Sequence, residues 1–287
     1  MEENKPLENQ EPEAENTQKN NVQEPIEITV SEKKPALLTQ SMLFRFMLVF
    51  GIVFMCFIFV FQVWLTPIKV IGSSMQPTIN CSIISENDDS KCDIVYYNNE
   101  KSYSHDDIVI IDNTDYKYIP LVLKDPDGNI LSEQDVNKII KRVIACPGDS
   151  ITFYLKNQEP ALLPKVFYYD IIVKDKDGNI IDLDNSYLNE DMMFTAAQLR
   201  EYSEIYPAFG KLFENIENTD LPPEQRQSTI IIPENTYFVM GDNRNNSEDS
   251  RFFGVVDYDD IAGSVRFSIP YGKNLFQAIW IKLKSII

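Results

Sequence analysis

The sequence predicts a mostly β protein behind one N-terminal transmembrane helix, and three observations predict it. Residues 46–65 run for twenty residues without a charge. From residue 68 onward the apolar residues come in short β-branched and aromatic runs separated by turn signals, which is the pattern of strands. One stretch, 194–216, breaks that pattern with helix-forming residues. The 287 residues are enough for one or two domains with a real core.

Residues 1 to about 35 carry nine Glu with several Gln, Asn and Pro and almost no aromatic residue. Such a segment buries too little apolar surface to offset its ordering entropy, so residues 1–40 are expected to be a disordered acidic tail. The apolar run within 43–66 is about 30 Å long as a helix, the thickness of a bilayer core, and Trp64 stands at its far end where an interfacial aromatic belongs. A cleaved signal peptide has a shorter apolar stretch followed by small residues, whereas Thr66-Pro67-Ile68-Lys69 follows here. The run therefore reads as a retained anchor. Lys33, Lys34 and Arg45 precede it and only Lys69 follows closely, so the tail is expected in the cytoplasm and the rest outside, in a single-pass arrangement in the cell membrane.

Beyond the anchor, strands are expected at 68–71, 93–97, 107–112, 117–123, 138–145, 150–154, 166–173, 236–240 and 261–269. Turns are expected at Asp127-Gly128-Asn129, Pro147-Gly148-Asp149 and Asp177-Gly178-Asn179. Residues 194–216 allow one or two short helices interrupted by Pro207 and Gly210, after which Leu221-Pro222-Pro223-Glu224 returns the chain to a strand. This divides the chain into a β core, 67–152 with 235–270, and an inserted cap, 153–234. The closing segment 271–287 has an apolar bias with Lys282 and Lys284, which fits an amphipathic interfacial helix or an element packed on the domain.

There are 26 Lys and Arg against 44 Asp and Glu, and a net charge of −18 argues against nucleic-acid binding, which needs clustered cations. Cys56 lies in the apolar run. Cys81 and Cys92 bracket an Asn87-Asp88-Asp89-Ser90 turn and either close a short disulfide loop outside the cell or stay free. Cys146 reads as a lone buried thiol. With no Cys-x-x-Cys and one histidine, a zinc site is poorly supported, and no metal or cofactor is expected.

That histidine, His105, lies in Tyr103-Ser104-His105-Asp106-Asp107 and reads as an exposed loop residue; no Gly-x-Ser-x-Gly elbow accompanies it. If Ser74 is a nucleophile, its base must come from elsewhere. A free lysine has a pKa near about 10.4, and holding it neutral at pH 7 costs about 4.6 kcal/mol, which burial among apolar groups can supply. Lys141 is suited to this, since it leads out of Lys138-Ile139-Ile140 into Val143-Ile144.

Three motifs follow the anchor in order. They are Ile71-Gly72-Ser73-Ser74-Met75-Gln76-Pro77-Thr78, Lys141-Arg142-Val143-Ile144-Ala145-Cys146-Pro147-Gly148-Asp149, and Gly241-Asp242-Asn243-Arg244-Asn245-Asn246-Ser247-Glu248-Asp249-Ser250-Arg251. Singly, each reads as a turn, a strand edge or a polar loop. Together they closely resemble bacterial type I signal peptidases over about residues 43–270. The resemblance implies the signal-peptidase/LexA-like β fold with an inserted cap. It implies Ser74 as nucleophile, Lys141 as general base and Ser247 as the residue that orients Lys141. Asp242, Arg244, Asp249 and Arg251 would hold the polar loop, and Asp107 would support the neighbouring strand. The Ser74 backbone N–H would serve the oxyanion, with Met75 and Pro77 as substrate-binding residues.

The sequence departs from the family pattern at Gly72, where some members have a second serine, at Asn245 in place of Asp, and at Ala145-Cys146 in place of Gly-Leu. It also has His105-Asp106-Asp107 in place of a Gly-Asp turn, and an insertion between Thr78 and Asp107 that holds Cys81 and Cys92. The implied activity is removal of N-terminal signal peptides by an acyl-enzyme mechanism, cutting after small-x-small sites. The implied partners are secreted preproteins, membrane lipid and, by association, the secretion translocon. Two rivals stand beside this reading. One is an anchored extracellular binding or scaffold protein without turnover, which intact Ser74, Lys141 and Ser247 disfavour. The other is a self-cleaving repressor of the related serine-lysine fold, which the anchor and the missing DNA-binding domain disfavour.

Overall fold

The computed structural model describes residues 40–70, 72–81, 91–114, 117–119, 137–159, 165–218, 220–275, 277, 278 and 280. The expected tail (apart from residue 40), the turn at 127–129, most of the strand at 117–123 and the end of the segment 271–287 lie outside the described residues.

The chain's first described element is α1, Gln40–Trp64, whose only charged residue is Arg45. It is long and apolar enough to cross a membrane. Its boundaries fall within a few residues of the expected anchor.

The strands that follow form two antiparallel sheets. The larger takes β1 (Thr66–Lys69), β2 (Ile94–Asn98), β3 (Ile108–Asp112), β4 (Lys138–Ala145), β9 (Thr236–Met240), β10 (Val256–Asp257) and β11 (Ile261–Ile269) in the order β1-β2-β11-β3-β4-β9-β10. The smaller takes β5 (Ser150–Glu159), β6 (Val166–Lys174), β7 (Met192–Thr195) and β8 (Gln227–Ile231) in the order β7-β6-β5-β8. β4 and β9 are buried on both faces, which is why their sequences run Ile-Ile…Val-Ile-Ala and Tyr-Phe-Val-Met instead of alternating with polar residues. The Cys146–Asp149 turn then carries the chain from the first sheet into the second, with Gly148 at φ +87°.

Three apolar clusters hold these layers. Ile144, Phe153, Phe167, Phe213 and Phe238 are fully buried in one that joins β4 and β9 to the small sheet and two helices. A second gathers Val109, Val143, Val239, Val256 and Ile261. The third sets Val70, Met75 and Ile79 against Val95, Ile110 and Ile140, so the stretch around Ser74 is pinned to the sheet by its own apolar residues.

The helical region holds α2 (Ala196–Ile205) and α3 (Pro207–Glu217). Thr195 caps α2, accepting from the Gln198 N–H while the Gln198 side chain accepts from the Thr195 N–H. Pro207 falls at the expected interruption, between the two helices, whereas Gly210 interrupts neither. Pro207 opens α3 at a position that needs no N–H donor. Gly210 lies inside α3 where a Cβ would come within 2.8 Å of the Ser203 Cβ, so the glycine lets the two helices approach.

Two further readings change. Cys81 and Cys92 are joined in a disulfide, which settles the alternative left open. His105 is not an exposed loop residue: its side chain is 25% exposed and its Nε2 lies 2.7 Å from Asp149 Oδ2. Cys146, expected to be buried, is half-buried beside that pair.

Candidate active site

Ser74 lies in the turn that leaves β1. The Gln76 N–H donates to Ser73 O and the Ile79 N–H to Met75 O, while Met75 and Ile79, each 1% exposed, root the turn in the core. Met75 was expected to meet substrate, but its side chain belongs to that core. Pro77 is exposed.

The loop after β9 clasps this turn. The Asn243 N–H donates to Ser74 O at 3.0 Å and its amide to Ser73 O at 3.1 Å. The Asn246 amide donates to Ser73 Oγ at 2.8 Å, and Thr78 Oγ1 donates to Asp242 Oδ2 at 2.5 Å. Gly241 is required where the pieces cross: a Cβ there would sit 2.3 Å from Ser247 Oγ and 2.4 Å from Ser74 O.

Lys141 comes from β4, opposite Val109 of β3. Its Nζ donates to Ser74 Oγ and to Ile140 O, both at 3.1 Å, and the residue is 3% exposed. Burial pushes its pKa down from 10.5 to about 8; Asp249, Glu248 and Asp242 pull it partly back up, while Arg251 helps lower it.

The polar loop is held by paired charges. Arg142 forks onto both Asp242 oxygens at 2.7 and 2.6 Å, donates to Asp106 O and stacks on Tyr187 at 4.1 Å. Arg251 forks onto Asp249 at 2.7 Å twice, and also reaches Tyr169 Oη and Arg244 O. Burial alone would raise the Asp249 carboxyl, but the Arg251 guanidinium reverses this and holds it below the usual carboxylate range. Asp249 also accepts from the Gly241 N–H and caps α4 (Ser250–Phe253) through the Arg251 N–H. Arg244 donates to Gly241 O and Tyr187 Oη. Asn245 accepts from the Met193 N–H and donates to Asp191 O, a pairing that a carboxylate could not make.

Ser247 is 8% exposed, and its Oγ has no hydrogen-bond partner among the described residues. The expected Ser247–Lys141 bond is therefore not made; the hydroxyl packs against Gly241 while Ile140 O holds the ammonium. Asp107 lies away from this centre, accepting from the Ser104 N–H and, through its carbonyl, from the Val143 N–H. Ser74, Lys141 and Ser247 share a cavity of about 380 Å³ whose far wall includes Met193, Tyr202, Tyr206 and Phe252. His105 does not line it. Burial and the Asp149 and Asp107 carboxylates push the Cys146 thiol up to about 12, so it is no rival nucleophile.

Tyr187 and Tyr169 escaped the sequence reading because nothing local marks them; they matter only once they fold against the arginines of β4 and the polar loop. Arg142 did carry a signal, since a cation directly after Lys141 in the middle of an apolar run needs a buried partner.

Fold and site define a class: a β-rich protein in which a serine hydroxyl meets a buried lysine of lowered pKa. The profile of the family described as signal peptidase, peptidase S26, matches residues 43–270, and the chain belongs to that family. It is similar to signal peptidase I of Buchnera aphidicola, 30% identical over 194 residues covering 60% of each chain. It is also similar to signal peptidase I of Aquifex aeolicus, 30% identical over 154 residues covering 46% of this chain and 56% of that one. The match to signal peptidase IB of Staphylococcus aureus is 50% identical over 48 residues, 17% of this chain and 25% of the other. The chain thus spans 60% and 56% of the length of the first two relatives. A crystal structure of a signal peptidase I from Enterococcus faecalis matches at 18% identity and a TM-score of 0.25, covering 57% of this chain and 96% of the other.

Proposed function

We propose that this protein is a membrane-anchored serine endopeptidase that removes N-terminal signal peptides from secreted preproteins through Ser74 and Lys141. The observation that carries the proposal is the 3.1 Å contact between Lys141 Nζ and Ser74 Oγ, made by a lysine that burial has already brought to about 8. Neutral Lys141 takes the Ser74 proton as Oγ attacks the scissile carbonyl. The protonated lysine then gives that proton to the leaving amine, and a water deprotonated by the same lysine releases the acyl group. The Ser74 N–H, which has no acceptor among the described residues, is the donor we assign to the oxyanion. Ser247 carries a buried, unpaired hydroxyl in the same cavity, and we assign it to orient Lys141 once Ser74 is acylated.

In this reading the substrate lies extended along the cavity, with small residues at the first and third positions before the cut. The helix Gln40–Trp64 anchors the enzyme in the bilayer of its substrates, and the cations before it set the N-terminus in the cytoplasm. Its partners are the preproteins, the surrounding lipid and the secretion translocon from which preproteins emerge.

The test is cleavage of a purified preprotein in vesicles by wild type, Ser74→Ala and Lys141→Ala. The expected result is a product cut after a small-x-small site, with Lys141→Ala slowed by roughly 10²–10⁴-fold and Ser74→Ala inactive. Cleavage that survives Lys141→Ala would overturn Lys141 as the base. A folded wild type that leaves several preproteins intact would favour a binding protein without turnover.

A further inference from the structure

We propose that the two adjacent turns carrying His105 and Cys146–Asp149 form a zinc site, with His105 Nε2, Cys146 Sγ and an Asp149 carboxylate oxygen as ligands. These three donor atoms lie within 4.8 Å of one another. Zinc bonds of about 2.0–2.3 Å in a tetrahedron place ligand atoms roughly 3.3–3.7 Å apart, so small side-chain rotations suffice. One nitrogen, one thiolate and one carboxylate form a mixed set that suits zinc better than calcium or magnesium.

The backbone presets the site without a metal. The Cys146 N–H donates to Asp149 Oδ2 at 2.7 Å and the Asp149 N–H to Cys146 O at 3.1 Å. The Gly148 N–H donates to Ile232 O, and the Asp106 N–H to Val143 O, which fixes the histidine turn against β4. Asp149 is buried, while His105 and Cys146 are partly exposed, so an ion has a path in and solvent can fill the fourth position. On binding, the thiol proton leaves to solvent, and the His105 proton moves to Nδ1, freeing Nε2 from its hydrogen bond with Asp149. None of the three residues lines the Ser74 cavity, so this inference does not depend on the proposed protease chemistry. The sequence hid it because the donors lie 41 and 44 positions from His105 and match no zinc spacing.

The test uses the full chain in detergent, without a polyhistidine tag, stripped with a chelator, and in a Cys56→Ser background so that Cys146 is the remaining free thiol. Zn²⁺ is titrated by calorimetry and Co²⁺ by absorption. The expected result is one equivalent bound, with a thiolate-to-cobalt charge-transfer band. That band should be lost in Cys146→Ser, and zinc affinity should fall at least tenfold in Cys146→Ser and in His105→Gln. A cobalt spectrum without that band in the parent chain would overturn the proposal, whatever the variants do. So would zinc affinity unchanged in Cys146→Ser, which would mark adsorption to the acidic surface.

Discussion

Lys141 carries opposed demands. A lysine that titrates at about 8 when folded and at its ordinary 10.5 when unfolded weakens the fold wherever it must be charged. Below pH 8 the full cost applies, on the order of 3 kcal/mol, and it fades as pH rises from 8 to 10.5. Lys141→Met should therefore cleave as slowly as Lys141→Ala yet be more stable than wild type at pH 7, with the gap closing across that window; denaturant melts at pH 7 and pH 10 measure it. Because the proposed base works only when neutral, single-turnover cleavage should fall about tenfold per pH unit below pH 8 and level off above it. Ser74 and Lys141 were legible because their motifs stand in order after an anchor. The burial of Lys141 was not, since it depends on Ser74, Ser247 and the loop after β9, up to about 100 residues away in the chain. Met75 and His105 were misread for the same reason: a side chain's depth is set by what packs over it, and neighbours in sequence do not report that.

The loop between β9 and α4 is an element organised by charge. Asp249 and Arg251 are both buried and satisfy each other, so removing one leaves the other uncompensated. Asp249→Ala should cost about 3–5 kcal/mol and, by loosening Ser247 and Gly241, reduce cleavage further than the stability loss explains; melts and kinetics on the same samples separate the two. In the helical hairpin, Gly210→Ala should cost about 1–3 kcal/mol, read as a lower melting temperature with cleavage retained by the folded fraction. β4, β9 and β11 were legible to their ends because β-branched and aromatic runs fill them. β7 and β10 are four and two residues long, too short for a period to show, and their strand character comes from β6 and β9. The helices and the break at Pro207 were foreseen, but Gly210 was taken as a second break when it lies inside α3.

On the scale of the molecule, the mostly β class and the apolar helix followed from composition and patterning alone. The strand order did not. Nothing local tells a strand at 261–269 that it belongs between partners that left the sheet 150 residues earlier. β11 pairs with β2 on one side and β3 on the other, and it is the ladder through which β1-β2, flanking the Ser74 turn, joins β3-β4, bearing Lys141. A chain ended before Ile261 should lack cleavage and show no cooperative melt. The order of synthesis gives this placement its meaning. A chain emerging N-terminus first has its serine about 190 residues, and its lysine about 120, before the strand that unites their halves. During biogenesis the proposed protease is thus its own zymogen: the halves that bear Ser74 and Lys141 have no ladder to unite them until the strand Ile261–Ile269 has been delivered.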